Sequence, residues 1–293
     1  NMDLAATCVI NGILVGGVYA LLGMGIVLIY KATSVYNFAM GQMAVFGAFI
    51  AYSCMKIMEL PIIVCVVAGV LAGGLMGLVV ERFALRKLIG QPLIAALIAT
   101  LAVSVLLKGV VVAIWSSSVI PFPREIFPKS DLIVGGVQIS GNLFGSFLIA
   151  LLGFVIFTIY FRKSTTGLAM RAVAEEHQIA QSLGVRVTSV FATTWFIGGL
   201  VCAIGGICLA DKVALGVNEI PAMTFMAFPA VLIGGLESLA GVAIGGLIIG
   251  LAENFCNAYV SQSFGEIAPW LIVILILIIR PEGLWGLKRI ERI

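Results

Sequence analysis

The chain has 293 residues, of which 61% are hydrophobic and 11% charged, whereas about 25% of the residues in an ordinary soluble domain are charged. This composition excludes a water-soluble globule and leaves no segment polar enough for a soluble catalytic domain. The net charge of +3 is small, and Lys and Arg lie in short clusters between apolar runs, so nothing indicates a nucleic-acid partner.

Apolar runs of about 20 residues predict an all-α, polytopic membrane helix bundle, with about nine transmembrane or partial helices in one domain spanning 1–293. The segment 222–234 is too short to cross a core of about 30 Å as a straight helix. We interpret it as a half-helix or re-entrant turn near a central pathway; a short, tilted peripheral helix is the alternative. The predicted segments are 4–29, 33–57, 61–80, 92–113, 143–161, 188–210, 222–234, 239–259 and 268–279.

Positive charge predicts the orientation, because Lys and Arg accumulate in cytoplasmic loops. If the C-terminus is cytoplasmic, 12 of the 17 Lys and Arg lie inside, and an odd number of crossings places the N-terminus outside, provided that 222–234 crosses. The inner residues are Lys31, Arg82, Arg86, Lys87, Arg162, Lys163, Arg171, Arg186, Arg280, Lys288, Arg289 and Arg292. The remaining five are Lys56, Arg124, Lys129 and Lys212 outside and Lys108 within a span.

Two connections are longer than a tight turn requires. The outer one, about 116–141, is rich in Pro and Gly and predicts an irregular cap or a short hairpin. The inner one, about 162–187, has Ala-rich helical propensity between Gly167 and Gly184, and Gly184 stands where a helix would end. We expect a cytoplasmic helix of about three turns in this loop.

Small residues recur at helical spacing in the apolar segments and predict close helix packing in the membrane. The glycines concerned are Gly12 and Gly16; Gly69, Gly73 and Gly77; Gly241 and Gly245; and Gly246 and Gly250.

Residues for catalysis or metal binding do not form a recognisable pattern. The chain has no GxxxxGK[ST] phosphate loop, His177 is the single histidine, and the six cysteines form no CxxC pair. We therefore predict no catalytic and no metal site, and expect the cysteines to act as small packing residues.

Four polar residues in or near the spans are candidates for a solute pathway: Asn37, Gln42, Lys108 and Glu253. A lysine near a helix centre costs about 2.5–3.5 kcal/mol, so Lys108 faces water or a carboxylate, or else extends to the outer boundary. Asn37 and Gln42 either line a path or fix the start of the second span. For Glu253 we favour a structural hydrogen bond over substrate contact.

Five collinear stretches, from about Gly12 to Gly286, resemble the integral membrane permeases of branched-chain amino acid ABC importers, in particular the shorter of the two paired permeases. They are LIYKATSVYNFAMGQMAVFGAFIAY, VVERFALRKL, GLAMRAVAEEHQIAQSLGVRV, VLIGGLESLAGVAIGGLIIGLAE and IIRPEGLWG.

The resemblance implies a multi-pass subunit of the bacterial cytoplasmic membrane that carries branched-chain or other hydrophobic amino acids. It implies three kinds of partner: a second permease subunit, a different paired chain; two cytoplasmic ABC ATPases; and an extracytoplasmic solute-binding protein. ATP and Mg belong to the ATPases, so this chain binds no cofactor and is not itself an enzyme. Urea, short amides or aromatic acids are alternative solutes, and a self-contained channel or secondary carrier, or a structural membrane anchor, is an alternative of another class.

The stretch GLAMRAVAEEHQIAQSLGV is similar to the coupling helix of that family, which sits in a cleft of the ATPase. The resemblance implies that Arg171, Glu175 and Glu176 make polar contacts with the ATPase, and that Ala172 and Ala180 permit close packing, with Gly184 at the end. The chain departs from the family at two positions. Met40 stands where a polar residue is frequent, and Lys108 stands where Gln is more usual; a cation there suits a substrate carboxylate.

Overall fold

A computed structural model of the protein describes residues 2–88, 91–127, 130, 132–134 and 137–286. Its helices and strands are α1 (Met2–Thr33), α2 (Met40–Ile57), α3 (Ile62–Val80), α4 (Leu93–Trp115), β1 (Leu132–Val134), β2 (Val137–Ile139), α5 (Gly141–Lys163), α6 (Thr165–Glu175), α7 (His177–Ser182), α8 (Val187–Val213), α9 (Glu219–Phe225), α10 (Ala227–Gly234), α11 (Leu239–Tyr259) and α12 (Gln262–Ile279). A π-helical turn, Glu81–Leu85, and a 3₁₀ turn, Arg86–Leu88, extend α3.

Among the described residues, eight helices are long and apolar enough to cross a membrane, namely α1 to α5, α8, α11 and α12. Each corresponds to one predicted segment. The ninth segment, 222–234, lies in the short helices α9 and α10, which Met226 separates. The prediction of a polytopic helical bundle is therefore confirmed, and the short segment consists of two short helices in place of a single half-helix.

Two helices form the centre of the bundle and two others lie at its edge. In the most apolar stretch of each helix, 89% of the residues of α1 and 72% of those of α8 are buried, compared with 17% in α4 and in α5. The first helix packs against α5, α8, α10 and α11, and α8 also packs against α2 and α3. The apolar outer faces of α4 and α5 are thus available to lipid, as are those of α3 and α12, which are 28% and 22% buried.

The crossing of α1 with α11 depends on two glycines from each helix: Gly12 and Gly16 face Gly246 and Gly250. A Cβ atom placed on Gly16 would lie 2.7 Å from the carbonyl oxygen of Gly246, and one placed on Gly246 would lie 2.7 Å from the carbonyl oxygen of Gly16. Only glycine permits this approach of two backbones. The predicted close packing is confirmed at this crossing.

The other predicted glycines also lie at helix crossings, where they face backbone atoms of a neighbouring helix. The pairs are Gly69 with Gly47, Gly73 with Gly199, Gly77 with Trp195, Gly241 with Gly234 and Gly245 with Ala230.

The bundle has two distinct ends. At the first, which we call the hairpin end, β1 and β2 form an antiparallel hairpin with Leu132 opposite Ile139, as the outer connection predicted. The Asn11 side chain of α1 donates a hydrogen bond to the Gln138 carbonyl oxygen at 3.3 Å. At the opposite end, Lys31 Nζ donates to the Glu237 carbonyl oxygen between α10 and α11 at 3.3 Å.

Within the described chain, nine passes connect these ends, because α9 and α10 together return the chain from the end of α8 to the start of α11. The end of α8 adjoins the hairpin end, where Asn142 Nδ2 donates to the Asp211 carbonyl oxygen at 3.5 Å. After α12 the Leu284 amide donates to the Ile233 carbonyl oxygen of α10 at 2.8 Å. The first helix therefore begins at the hairpin end and the last ends at the other.

Positive charge collects at the end opposite the hairpin, which we call the basic end. It includes the ends of α1, α3, α5 and α12, the start of α8, and the short helices α6 and α7. The predicted inner residues Lys288, Arg289 and Arg292 lie outside the described residues, as does Lys129 of the outer set. The described cations at the basic end are Lys31, Arg82, Arg86, Lys87, Arg162, Lys163, Arg171, Arg186 and Arg280.

The inner connection differs from the single helix that the sequence predicted. Glu176 is extended, with φ −159° and ψ 113°, and it separates α6 from α7. Carboxylates are unfavourable in the last turn of a helix and favourable before the first turn of the next. The Glu176 carbonyl oxygen accepts the Ala180 amide at 3.0 Å and so begins α7.

Candidate functional site

Local sequence signals define the two ends of the α6–α7 segment. The Ser164 hydroxyl oxygen accepts a hydrogen bond from the Gly167 amide at 2.8 Å and caps the start of α6. At the end of α7, Gly184 has φ +86°, and the Gly184 and Val185 amides donate to the Gln181 and Ala180 carbonyl oxygens, each at 3.0 Å. This is a Schellman motif, which confirms the helix end predicted at Gly184.

One face of the α6–α7 segment is buried against the bundle and the other is open. Met170, Val173 and Ala180 are buried. On the open face the side chains of Leu168, Ile179 and Leu183 are 60%, 61% and 78% exposed. An exposed apolar group between charged residues, outside the spanning helices, is typical of a surface that binds another protein.

The six predicted coupling residues do not share one environment. Glu175, Glu176 and Gly184 are exposed, Ala172 is partly buried, and Ala180 is buried. The Arg171 guanidinium donates to the Phe161 carbonyl oxygen and lies over the Phe161 ring, so it links α6 to α5 of the same chain. Their contact with an ATPase stays a prediction.

Asn37 and Gln42 are both buried where α2 begins. Asn37 Oδ1 accepts the Ala39 amide at 3.0 Å, which is a local turn, and Gln42 Nε2 donates to the Val217 carbonyl oxygen at 3.2 Å. These bonds hold the start of α2 and connect it to the segment before α9. The lining of a pathway by Asn37 or Gln42 stays a prediction.

Glu253 of α11 accepts a hydrogen bond from the Tyr19 hydroxyl of α1 at 2.7 Å, and Tyr19 is fully buried. The bond joins the two helices that also meet at the glycine crossing. This is the structural hydrogen bond that the sequence analysis favoured for Glu253.

Lys108 is exposed on α4, and its ammonium group donates to Asn218 Oδ1 at 2.8 Å. The next residue, Glu219, is exposed as well, and its Oε2 atom accepts the Asn218 amide at 3.3 Å. Lys108, Asn218 and Glu219 form what we call the polar trio. It brings a cation, an amide and a carboxylate together beside two mostly apolar helices.

Sequence reasoning missed Asn218 and Glu219, although a signal was present. They are the polar residues immediately before the interrupted segment, and the polar residues beside such a segment are candidates for a pathway. It also missed Asp211, which is buried and accepts the Ile126 amide at 3.3 Å, and the buried Glu81, which pairs with Arg86 at 2.8 Å.

The six cysteines are free, and four of them, Cys8, Cys65, Cys202 and Cys208, are buried. Within the part of the chain that the structure describes, no group of three or more His, Cys, Asp or Glu residues could hold a metal ion. Polar and charged side chains lie at the two ends of the bundle and beside α9, where several of them form hydrogen bonds.

These features define a multi-pass membrane protein of the transport type. They are nine passes through an apolar bundle, a non-helical backbone segment beside charged groups, and a basic end that exposes the short helices α6 and α7. The family model described as the branched-chain amino acid transport system permease component matches residues 8–280. The chain therefore belongs to this family.

Curated relatives extend over nearly the whole chain. It is 28% identical to the high-affinity branched-chain amino acid transport system permease protein LivH of Salmonella typhimurium, over 97% of this chain and 96% of the relative. It is 27% identical to the corresponding permease protein BraD of Pseudomonas aeruginosa, with the same coverage. It is also 27% identical to the probable branched-chain amino acid transport permease protein LivH of Methanocaldococcus jannaschii, over 99% of this chain and 96% of the relative.

Proposed function

We propose that this protein is a membrane permease subunit of an ATP-driven ABC importer and forms part of the pathway for branched-chain or other hydrophobic amino acids. Family membership and near-complete coverage of permeases named for this transport support the solute class. Its proposed partners are a second, different permease subunit, two cytoplasmic ABC ATPases and an extracytoplasmic solute-binding protein. ATP and Mg bind to the ATPases, and this chain performs no covalent chemistry.

The orientation in this proposal rests on the collection of positive charge. A strong excess of Lys and Arg at one end of a bundle is typical of the cytoplasmic side. We therefore place the basic end, with the end of α12, in the cytoplasm and the hairpin end outside. The solute-binding protein then meets the hairpin end, and the ATPases meet α6 and α7.

The single observation that carries the coupling role is the exposed apolar group on α6 and α7. Among the described residues, Leu168, Ile179 and Leu183 are 60%, 61% and 78% exposed, and the exposed Glu175 and Glu176 lie between Leu168 and Ile179 in the sequence. An apolar centre with a charged rim is the usual composition of a specific protein interface. In the proposed complex these residues insert into a cleft of the ATPase.

The proposed mechanism is alternating access. Binding of ATP closes the two ATPases, and their movement displaces α6 and α7. Because the segment is fixed to α5 through Arg171 and continues into α8, its displacement moves the centre of the bundle. The opening of the pathway then changes from one face of the membrane to the other.

Charge reversal on the open face tests the docking assignment. The double variant Glu175→Lys, Glu176→Lys is expected to lower ATP-driven uptake by about tenfold, because it removes both proposed carboxylate contacts with the ATPase and reverses their charge. Recovery of ATPase with the affinity-purified permease and uptake into proteoliposomes are the measurements. Glu282→Lys is the matched control, because Glu282 is also exposed at the basic end. Normal ATPase recovery and uptake with the double variant would contradict the assignment.

The rival function is a self-contained channel or secondary carrier. It would transport solute when this chain is reconstituted without ATPases, whereas the importer proposal predicts no solute uptake by the chain alone. Urea, short amides and aromatic acids are tested as competing solutes in the same vesicles.

A further inference from the structure

The segment between α8 and α9 enters the bundle as irregular backbone. Residues 214–218 are not helical, and Ala214 has φ +73°. The side chain that meets Asn218, Lys108, lies seven residues before the end of α4, which is about 10 Å along the helix. Irregular backbone at such a depth does not face lipid; it is covered by protein or lines water.

The polar trio lies where this backbone reaches the surface of the chain. Leu215, Gly216 and Val217 are buried, but Asn218 and Glu219 are exposed. Since a charged residue in lipid costs about 2.5–3.5 kcal/mol, a cation and a carboxylate together on one lipid-facing patch would be strongly unfavourable. This face of the bundle therefore borders water or another subunit of the complex and not lipid.

The exposed side of α9 continues from the trio toward the basic end. Ala222 is exposed one turn after Asn218, and Phe225 follows at the next turn. The Phe225 ring stacks on Phe38 and Phe228, with centroids 6.4 Å and 5.3 Å apart. The polar trio and the aromatic cluster of Phe38, Phe225 and Phe228 are thus separated by about 9 Å along α9, with the trio nearer the hairpin end.

We propose that the polar trio is a binding site for the charged groups of a zwitterionic α-amino acid: the Lys108 ammonium binds the solute carboxylate, and the Glu219 carboxylate binds the solute ammonium. Asn218 lies between them and holds Lys108 in position. The aromatic cluster farther along α9 favours solutes with apolar side chains. This inference rests on the proposed function and assigns it a site.

Chemical restoration of the lysine charge tests the site in the reconstituted transporter with its ATPases and loaded solute-binding protein. The parent carries Cys54→Ala and Cys256→Ala, since these are the two cysteines that are not buried. In this background Lys108→Cys is expected to lower amino acid uptake about tenfold. Aminoethyl methanethiosulfonate, which adds an ammonium group at nearly the length of lysine, restores uptake, and the sulfonatoethyl reagent does not.

Two control positions separate this site from general effects. Leu106→Cys places a thiol about 160° around α4 from Lys108, on an apolar face, and Leu106 itself is 63% exposed. This variant is expected to leave uptake unchanged, and its thiol is expected not to react with either charged reagent. Lys56→Cys removes a cation at the end of α2 whose ammonium donates to the Tyr52 hydroxyl, and it is expected to transport like the parent.

The outcomes distinguish failure of the site from failure of the proposed function. A parent complex without ATP-driven uptake overturns the proposed function. A working parent with unchanged uptake after Lys108→Cys, or with equal restoration by both reagents, overturns only the site. If Lys108→Cys does not assemble, the variant Glu219→Gln tests the site, because it keeps the shape of the side chain and removes its charge. Uptake within about twofold of the parent overturns the proposal. A loss of uptake of about tenfold with normal ATPase activity supports it.

Discussion

Helices α1 and α4 are nearly equal in mean hydropathy, 2.3 and 2.5 in their most apolar stretches, yet 89% of that stretch is buried in α1 and 17% in α4. In α1, Gly16 touches the backbone of Gly246, whereas a Cβ atom on Gly109 of α4 would meet nothing within 4 Å. Apolarity therefore places a helix in the membrane, and small residues with facing partners decide where two helices can pack with their backbones in contact.

The largest effect is expected where a central helix loses its bulkiest side chain. Trp195 of α8 is 1% exposed, so Trp195→Ala leaves a cavity and should lower the free energy of unfolding by about 3–5 kcal/mol. Thermal unfolding in detergent, followed by labelling of the buried cysteines, measures it. Leu106→Ala on α4 is the peripheral counterpart and should change little, because surrounding detergent or lipid fills the space. Similar losses for both variants would remove the distinction between centre and edge.

A smaller loss is expected from one added methyl group at the glycine crossing. In Gly250→Ala the new Cβ meets the backbone of Gly12 and Gly16, which cannot rotate away, so α1 and α11 must separate. We expect a loss of about 2 kcal/mol in the same unfolding assay. A variant as stable as the parent would show that the crossing tolerates a wider separation.

The hydrogen bond between Tyr19 and Glu253 tests how much polar contact adds to the same helix pair. A double-mutant cycle with Tyr19→Phe and Glu253→Gln should give a coupling free energy of about 0.6 kcal/mol, the average for hydrogen bonds between membrane helices. Strictly additive losses would mean that the bond seen at 2.7 Å contributes nothing to stability. Uptake by the two single variants shows in parallel whether Glu253 has a role in transport.

The smallest change is expected on α4. Gly109→Ala adds a methyl group in open space and improves helix propensity, so it should stabilise the protein by about 0.5 kcal/mol or leave it unchanged. A clear loss of stability would indicate that another subunit packs against this part of α4 in the assembly measured. Repeating the measurement with the isolated chain and with the complex distinguishes the two situations.

The amino-acid sequence by itself determined the helical segments, the unusual shortness of the segment 222–234, the collection of Lys and Arg at one end and the glycines that meet at crossings. These features depend on the hydropathy, spacing and charge of residues that are near one another in the sequence. Such local properties do not require the assembled bundle. The helix end at Gly184 is of the same kind, because glycine alone adopts its positive φ without strain.

Only the tertiary structure decided which polar groups meet. Lys108 and Asn218 are 110 residues apart in the chain, and Arg171 joins α5 only because the backbone turns at Ser164. Such contacts depend on the relative placement of whole helices, which is set by packing over the entire bundle and not by any local pattern.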